Sequence, residues 1–553
     1  MKKGQKTRLY LIGHRVSILE EIFNSALRGR QDGQTKREQN HVRDLAAARD
    51  PFFRRKPDRF HRRIECMKLM YEVEDRPKLS QTLVFAFQQM IAIMAATLLV
   101  PMLMSSFATG DGGTVFFDPA AALFGAGIGS LVYIFFTQKK SPVFLGSSFT
   151  FLGAYAAILG QNYGYWGVIL GILFAGLVYV VIALVIKAVG SNWVNKLMPA
   201  IIIGPIVALI GLSLSGTATS WMATNGGDRY SLITILVGVI TFMAIVVASI
   251  RGSKLIKLIP FVVGIGTGFV LSLVITLLGQ ALGIEELMIM DFSFLKEAFV
   301  PFTVNSLVRV PSFTIVAAIK SNTLSSIDGA ALSNIAITFV PIAVVELAQH
   351  IADHKNLSSI INRDLINDPG LDKTLLGDGI GSIVGGFFGG AANTTYGESI
   401  GCVAITGNAS IVTIATAGVG CMILSFFTPF VAFINSIPKC VMGGACVALY
   451  GFIAVSGLQM LKKVDLGNNK NLFVVSAIFV TGIGGLTLNF GSNPTTGGSL
   501  LTITSLATAL ILGILTNLVV NEGHLPKDEE TDGLTSVVKH MSDVEVEDTN
   551  AKK

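Results

Sequence analysis

Charged residues are scarce in this 553-residue chain, where only 14% of the residues are Asp, Glu, Lys or Arg. Soluble globular domains contain about 25% of these residues. The deficit is uneven, because Lys and Arg cluster in the first 80 residues and in short loops, while long apolar stretches fill residues 82–520. A helix needs roughly 20 apolar residues to cross a bilayer. The composition therefore excludes a soluble fold and predicts a membrane protein with many spans.

Sequence motifs for redox, metal or nucleotide chemistry are also missing. The five cysteines show neither metal-ligand spacing nor a disulfide framework. The N-terminus is polar and basic with no short apolar core, which argues against a cleavable signal peptide. No ATP-binding loop is present. We therefore predict no enzyme activity, no catalytic or metal site, no cofactor and no nucleic-acid partner.

The apolar stretches predict an all-α polytopic membrane protein with about fourteen transmembrane segments. They lie near residues 82–104, 116–136, 143–160, 165–187, 198–214, 231–250, 258–282, 333–353, 374–391, 394–411, 412–432, 438–458, 472–488 and 500–520. The third, ninth and tenth segments are short and rich in glycine. A helix broken in this way is tolerated at membrane depth only where protein or a water-filled cavity satisfies its backbone.

The distribution of basic residues predicts the orientation of the chain. Basic residues fall in alternate loops, near residues 139–140, 187–196, 251–257, 355–363 and 462–463, and the loops between these carry almost no basic residues. Cytoplasmic loops are enriched in Lys and Arg. We therefore expect a multi-pass protein of the plasma membrane with both termini in the cytoplasm. The long segment 284–325, which has mixed charge, is expected to lie outside.

Three regions are predicted along the chain. Residues 1–75 form a basic cytoplasmic extension, and the first 69 residues hold 18 of the 42 Lys and Arg. We interpret this extension either as a disordered arm that touches anionic lipid or as a non-native segment upstream of a start at Met67 or Met70. The membrane domain occupies residues 76–520. Residues 521–553 form an acidic cytoplasmic tail with few apolar residues, a composition typical of disorder.

Fourteen segments divide into two sets of seven, at about 82–282 and 333–520. The third segment of each set contains small hydroxyl residues, then an aromatic, inside a glycine-rich stretch: Gly-Ser-Ser-Phe at 146–149 and Asn-Thr-Thr-Tyr-Gly at 393–397. Paired interrupted segments at corresponding positions are a sequence sign of a transport site at the interface of inverted repeats. We therefore expect the site at these two segments.

Few ionisable side chains lie within the apolar segments. Glu346, Gln349, His350 and Asp353 recur on one face of the eighth segment, and Glu398 lies in the tenth. An ionisable group inside a membrane is by default a functional hypothesis. We predict that Glu398 and Gln349 bind substrate and that Asp353, Glu398, Glu346 and His350 take part in proton coupling. The structural alternative is that some of these groups only bond a backbone amide or a neighbouring helix.

These residues resemble the nucleobase–ascorbate transporter family, also called nucleobase–cation symporter 2, and within it the bacterial uracil permeases. The strongest stretches are Gln-His-Ile-Ala-Asp-His at 349–354, Asp-Pro-Gly-Leu at 368–371 and Asn-Thr-Thr-Tyr-Gly-Glu-Ser-Ile-Gly at 393–401. Two positions depart from the family pattern. Ser399 stands where the family signature has Asn. Gln349 stands where uracil permeases usually have a Glu that contacts the base, and the next acid on that face is Glu346.

The resemblance implies a core domain and a gate domain, built as an inverted repeat of seven plus seven spans. Short strands in segments 3 and 10 are expected to pair, with the base bound between the two domains. The implied function is import of uracil by proton symport, with protons and the lipid bilayer as partners and a homodimer left open. Two alternatives remain, namely a carrier of a purine such as xanthine or uric acid, and a non-transporting membrane sensor.

The chemistry of uracil agrees with these residues. Uracil offers two N–H donors and two carbonyl acceptors, and an ionised Glu398 accepts from a ring N–H. The backbone N–H groups of Tyr396 and Gly397 are expected to meet a carbonyl oxygen. Phe149 is expected to stack on the ring, although Phe149 and Tyr396 could equally be packing aromatics. Ala96 is added to the predicted base contacts because residues 95–97 resemble the family's first span.

Overall fold

The computed structural model describes residues 69–107, 115–225, 229–253, 256–321, 323–491 and 501–521. Its helices are α1 (Leu79–Phe107), α2 (Pro119–Phe136), α3 (Leu152–Gly160), α4 (Gly164–Val189), α5 (Asn192–Leu197), α6 (Ala200–Ser213), α7 (Ser215–Ala223), α8 (Leu232–Arg251), α9 (Pro260–Leu282), α10 (Ser293–Phe299), α11 (Thr314–Ser321), α12 (Gly329–Ile361), α13 (Leu371–Gly389), α14 (Gly397–Thr406), α15 (Ile411–Leu424), α16 (Thr428–Asn435), α17 (Lys439–Met460), α18 (Asn469–Ile483) and α19 (Ser505–Val520). Helical residues lie in every apolar segment predicted from the sequence.

Eight helical stretches in the described ranges are long and apolar enough to cross a membrane. They are α1, α2, α4, α6 continued by α7, α8, α9, α12 and α17. Three further apolar helices, α15, α18 and α19, have 10–17 residues each. The chain is therefore a mostly helical, multi-pass membrane protein.

Two predicted segments differ from the helices observed. The eighth, expected at 333–353, continues to Ile361 and ends at Asn362, which has a left-handed φ of 52°. His350 and Asp353 therefore lie well inside α12. The eleventh, expected at 412–432, divides into α15 and α16, and Pro429 is the second residue of α16. Proline favours the first turn of a new helix, because its missing N–H would have no partner there.

The third and tenth segments each combine a short strand with a short helix. Strands β1 (Leu145–Ser147) and β4 (Asn393–Thr395) pair antiparallel and are fully buried. This is the strand pair that the resemblance implies. Gly146 is required at this point, because a Cβ there would overlap the ring of Tyr396. Two other strand pairs are formed by β2 (Thr224–Asn225) with β3 (Arg229–Tyr230) and by β5 (Leu488–Phe490) with β6 (Leu501–Ile503), and β6 packs on α12.

The described helices pack in two groups. In the first group, α2 and α4 both pack on α13, α15 packs on α1 and α2, and α4 packs on α12. In the second, α6 packs on α17 and α18, α8 packs on α9 and α17, and α18 packs on α19. Glycines let α2 and α13 approach closely, because a Cβ at Gly125 would overlap the Gly385 carbonyl. Helix α12 also contacts α6 and α19 and so joins the groups.

Residues 69–75 form an extended strap across the end of the first group. The Tyr71 N–H donates to the Gly407 carbonyl at 3.1 Å, and the Ala409 N–H donates to the Tyr71 carbonyl at 2.9 Å. Arg363, just after α12, binds Glu74 at 2.5 Å and Glu72 at 3.1 Å. Its guanidinium donates to the Glu74 carboxylate and thereby lowers the pKa of Glu74. The rest of the predicted basic extension and the acidic tail after residue 521 lie outside the described residues.

Segment 284–321 contains α10 and α11 and is anchored to the start of α2. Asp118 caps α2 by accepting from the Ala120 N–H at 2.9 Å, and its other oxygen accepts from the Ser312 N–H at 2.9 Å. Arg309 adds an ion pair to Asp118 at 3.4 Å. The segment is therefore ordered against the helices rather than a free loop.

Candidate functional site

A cavity of about 330 Å³ lies where the two broken segments, α6, α12 and α17 meet. Its wall is largely apolar, with Phe149, Val207 and Ile210 among the lining residues. The polar side chains that line it are Ser148, Lys257, Gln349, Asp353, Asn356, Thr394, Glu398 and Ser456. An apolar cavity with a few convergent polar groups is the usual form of a small-molecule site.

Two carboxylates face this cavity. Glu398 is half-buried in the first turn of α14, where the positive end of the helix dipole favours an acid. Asp353, on α12, accepts a hydrogen bond from the Thr395 hydroxyl at 2.9 Å. Thr395 lies on β4, so the strand pair fixes one wall of the cavity and positions Asp353 at the same time. The structure thus brings together two of the acids singled out in the sequence.

Gln349 lines the same cavity, one helical turn before Asp353. Its side chain is half-buried, and no hydrogen bond to it is formed within the described part of the chain. The amide is therefore available to a ligand. Exposed Asn356 and Lys257 lie along the same wall, and Lys257 comes from the turn before α9.

The aromatic residues of the broken segments have different environments. Phe149 lines the cavity and packs edge-on against Tyr450 of α17, with ring centroids 5.5 Å apart. Tyr396 is 3% exposed, and its hydroxyl donates to the Ser147 carbonyl at 2.8 Å. Its backbone N–H donates to the Phe144 carbonyl at 3.2 Å. The expectation that this N–H meets a ligand carbonyl is therefore wrong, because the strand pairing already uses it. Gly397, at the start of α14, lines the cavity with an exposed backbone.

Three predicted site residues do not line this cavity. Ala96 is buried in α1 at 1% exposure, next to Thr97, whose hydroxyl lies 3.5 Å from the Tyr396 hydroxyl. Glu346 is buried behind the strand pair. His350 points away from the cavity, and its Nδ1 lies 2.7 Å from an oxygen of Asp378. One helical face in the sequence is therefore divided among three environments.

Several of the residues that line the cavity belong to no motif in the sequence. Among them are Lys257, Asn356 and Ser456. Each is a polar residue near the end of an apolar segment. Such residues are common at membrane interfaces, so this position does not predict a cavity. Thr395 was quoted within a motif, but its contact with Asp353 depends on the tertiary structure.

The arrangement of broken helices around a cavity is one that membrane transporters use. The structure of the mouse solute carrier 26 family member A9, an anion transporter in the inward-facing state, superposes with a TM-score of 0.50. The two chains are 11% identical, and the match covers 81% of this chain and 69% of that one. At this identity the match shows the fold alone. This chain therefore shares its fold with that protein.

Sequence comparison identifies the family. A family model described as “Permease family” (Xan_ur_permease) matches residues 80–490. The uracil permease of Bacillus caldolyticus is 35% identical over 456 residues, which are 82% of this chain and 95% of that protein. The uracil permeases of Bacillus subtilis (strain 168) and Escherichia coli (strain K12) are 32% and 30% identical, over 86% and 81% of this chain and 99% and 94% of their own lengths. This chain belongs to the permease family of nucleobase–ascorbate transporters.

Proposed function

We propose that this protein imports uracil across the plasma membrane by proton symport. The observation that carries the proposal is the shared cavity of Gln349, Asp353 and Glu398 at the paired broken segments. The relatives named uracil permease, which align over nearly their whole length, support the choice of base.

The polar groups of the cavity complement a flat, neutral ring. Glu398 carries no donor when ionised, so it accepts from a ring N–H of uracil. The Gly397 N–H, in the first turn of α14, is one of the donors that a helix leaves without an internal partner, and it donates to a ring carbonyl. Gln349 contributes a second acceptor or donor, according to how its amide is turned. Phe149 contacts the ring face.

Proton coupling falls to the two acids that face the base. Asp353 and Glu398 line the same cavity. Opening of the cavity to one side of the membrane, or binding of the base in it, therefore changes the environment of both carboxylates. A group couples a proton to transport when its protonation differs between the two access states. We assign that role to these acids, because neither His350 nor Glu346 lines the cavity.

We further propose that the fold is a repeat of seven plus seven spans, with a core and a gate. The packing of the helices supports the repeat. Replacing each span by the corresponding span of the other half, seven places away, turns one observed helix contact into another. The contact of span 4 (α4) with span 9 (α13) corresponds to that of span 11 (α15) with span 2 (α2). The contact of span 6 (α8) with span 12 (α17) corresponds to that of span 13 (α18) with span 5 (α6). The first helix group is the core and the second is the gate. Both termini lie in the cytoplasm.

The test is uptake of radiolabelled uracil by cells that lack their own nucleobase carriers. We expect accumulation that rises as external pH falls and that a protonophore abolishes. Excess unlabelled uracil should compete, and xanthine and uric acid should not. Uptake that ignores pH and protonophore would reject proton coupling. Preferential competition by purines would show that the protein carries purines rather than uracil. Binding of uracil without accumulation would indicate a non-transporting sensor.

A further inference from the structure

Residues 300–310, between α10 and α11, form an exposed apolar run. Arg309 is the only charged residue in it, whereas residues 285–297 contain five charged residues. Six large hydrophobic side chains of the run are at least 47% exposed, namely Val300, Phe302, Val304, Leu307, Val308 and Val310. Contiguous exposed apolar surface of this kind marks a contact with a protein, a ligand or a membrane.

The backbone of the run is bonded to the break between α15 and α16. The Thr428 N–H donates to the Leu307 carbonyl at 3.1 Å, and the Thr428 hydroxyl donates to the Asn305 carbonyl at 2.7 Å. The Arg309 N–H donates to the Phe426 carbonyl at 3.0 Å. Because this break lies inside an apolar segment, the run is held against a part of the chain that crosses the membrane.

Further hydrogen bonds form within the run. The Ser306 N–H donates to the Thr303 carbonyl, and the N–H groups of Leu307 and Val308 both donate to the Val304 carbonyl, each at 3.0 Å. The Thr303 N–H donates to the Ser306 hydroxyl at 3.0 Å. Backbone polar groups in contact with hydrocarbon have to be satisfied within the protein. The run meets this requirement at these groups while it exposes its apolar side chains.

Helix α15 measures the depth of the run from the end of the bundle that carries the strap. The ion pair of Lys140 with Asp368 lies at the same end, because Lys140 is close enough to act electrostatically on Glu74 of the strap. The Ile411 N–H donates to the Val73 carbonyl at 3.0 Å, so α15 begins at the strap. Its 14 residues rise about 21 Å, at about 1.5 Å per residue. The break after α15, and the run bonded to it, lie about that far from the charged end.

Helix α2 gives a second measure from the same end. Lys140 follows the end of α2 closely, and the 18 residues of α2 rise about 27 Å back to Asp118. Asp118 pairs with Arg309 of the run at 3.4 Å. The hydrocarbon core of a bilayer is about 30 Å thick. Both helices therefore place the run near the far boundary of the hydrocarbon, where the headgroups begin.

We infer that residues 300–310 form an interfacial anchor whose apolar side chains enter the lipid leaflet on the side opposite the strap. Val308 pairs with Phe427, which is itself exposed, so the apolar surface continues onto the start of α16. This continuity with a membrane-crossing segment favours lipid over a protein partner. Interfacial amphipathic segments bury their apolar face about 5–10 Å into the boundary between headgroups and acyl chains.

The anchor goes beyond the proposed function and does not involve the base cavity. In the proposed orientation, the leaflet that it enters is the outer one. The sequence predicts that the whole segment 284–325 lies outside the membrane. The inference keeps the charged residues 285–297 in water and moves residues 300–310 into the leaflet. The connection between the two sets of spans is then held at a fixed depth in the bilayer.

The test measures which quencher reaches the run in a bilayer. Full-length Phe302→Cys and Val304→Cys variants are labelled with nitrobenzoxadiazole and reconstituted into phosphatidylcholine liposomes without any base. We expect a blue-shifted emission, strong quenching by a phosphatidylcholine with a spin label near the headgroup end of its acyl chain, and weak quenching by aqueous iodide. Both native side chains are exposed, at 68% and 81%, so their replacement leaves the packed core unchanged.

The matched control is Glu285→Cys in the same segment. Glu285 is an exposed acid just after α9. The 23 residues of α9 rise about 35 Å, which exceeds the hydrocarbon thickness of about 30 Å, so this position lies in water. Its label should be quenched strongly by iodide and weakly by the spin-labelled lipid. The unaltered protein, labelled in parallel, supplies the background from the native cysteines.

Each variant is compared only after its Tm and its size-exclusion profile match those of the unaltered protein. Val310→Cys, at a position that is 66% exposed, replaces either cysteine variant that fails this check.

Three outcomes would overturn the inference. Iodide quenching as strong as in Glu285→Cys would place the run in water. A label that neither quencher reaches would show that protein, such as a second copy of this chain, covers the run. Equal lipid quenching of Val304→Cys and Glu285→Cys would contradict the difference in depth. The measurement needs no uracil, so it can fail or succeed independently of the proposed transport.

Discussion

Glu398 is the residue on which the proposed recognition of the base depends most directly. Glu398→Gln replaces an acceptor oxygen with a donor that faces a donor edge and removes the charge that strengthens the bond. A hydrogen bond to a charged group contributes about 1.5–3 kcal/mol, so uracil affinity should fall at least about tenfold. Isothermal titration of purified protein measures this, with Glu285→Gln, an exposed acid far along the chain, as the control. Near-normal affinity would make Glu398 a structural residue.

Gln349 gives a prediction of opposite sign. Gln349→Glu offers two acceptor oxygens in place of one and makes the bond charge-assisted, so affinity should rise by about tenfold and its pH dependence should steepen. Asn356→Asp adds the same charge farther along the cavity wall and should change affinity little. Binding isotherms across pH distinguish the two variants. An unchanged profile in Gln349→Glu would show that the base does not contact this position.

At the scale of elements, the two broken segments determine the site. Phe149 and Glu398 follow the two strands by two and three residues, and Thr394 lies within β4. Strand pairing therefore sets the positions of these cavity residues relative to α12. The hydrogen bond from Thr395 to Asp353 ties that helix to the pair. A change in the strand pair should therefore reach the base cavity.

Gly146→Ala tests the strand pair. A methyl group there overlaps the Tyr396 ring, and overpacking of this kind typically costs about 1–3 kcal/mol. We expect a lower Tm and weaker uracil binding. Gly153→Ala in the adjacent α3 is the control, because its Cβ would meet only one atom, at 3.9 Å. Equal behaviour of the two variants would show that the segment tolerates movement of the Tyr396 ring.

At the scale of the whole molecule, the strap of residues 69–75 links the start of α1 to the ends of α12 and α14. Arg363 lowers the pKa of Glu74, so the ion pair stabilises the fold above the ordinary pKa of 4.5 and is lost as pH falls through the lower folded-state value. Arg363→Gln should therefore lower Tm at neutral pH and reduce the further loss of Tm between about pH 6 and pH 3.

The control for the strap is Lys373→Gln, which removes the same charge. Lys373 donates to Gln138 at 3.3 Å and takes part in no ion pair of the described residues. It should leave the acid-dependent loss of Tm unchanged. If Arg363→Gln has the same pH profile as the unaltered protein, the strap contributes nothing to stability.

The sequence by itself determined the helical segments and three of the polar residues that line the cavity. Apolar runs and glycine-rich breaks are local properties, and burial in lipid forces the backbone of each run into a helix. The strand pair in segments 3 and 10 came from family resemblance and is present. Glu398 and Asp353 followed from the rarity of ionisable groups in such runs, and Gln349 followed from its place on the same helical face as Asp353. All three line the cavity.

Only the tertiary structure decided which surroundings each residue on one face of α12 has. Glu346, Gln349, His350 and Asp353 lie within about 100° of arc on α12, because each residue advances the helix by about 100°. That arc borders β1 and β4, the cavity and α13. The partners of each residue come from positions distant in the chain, so no periodicity within α12 could assign them. The same reason explains why Tyr396 was expected to offer its N–H to a ligand, when Phe144 already accepts it.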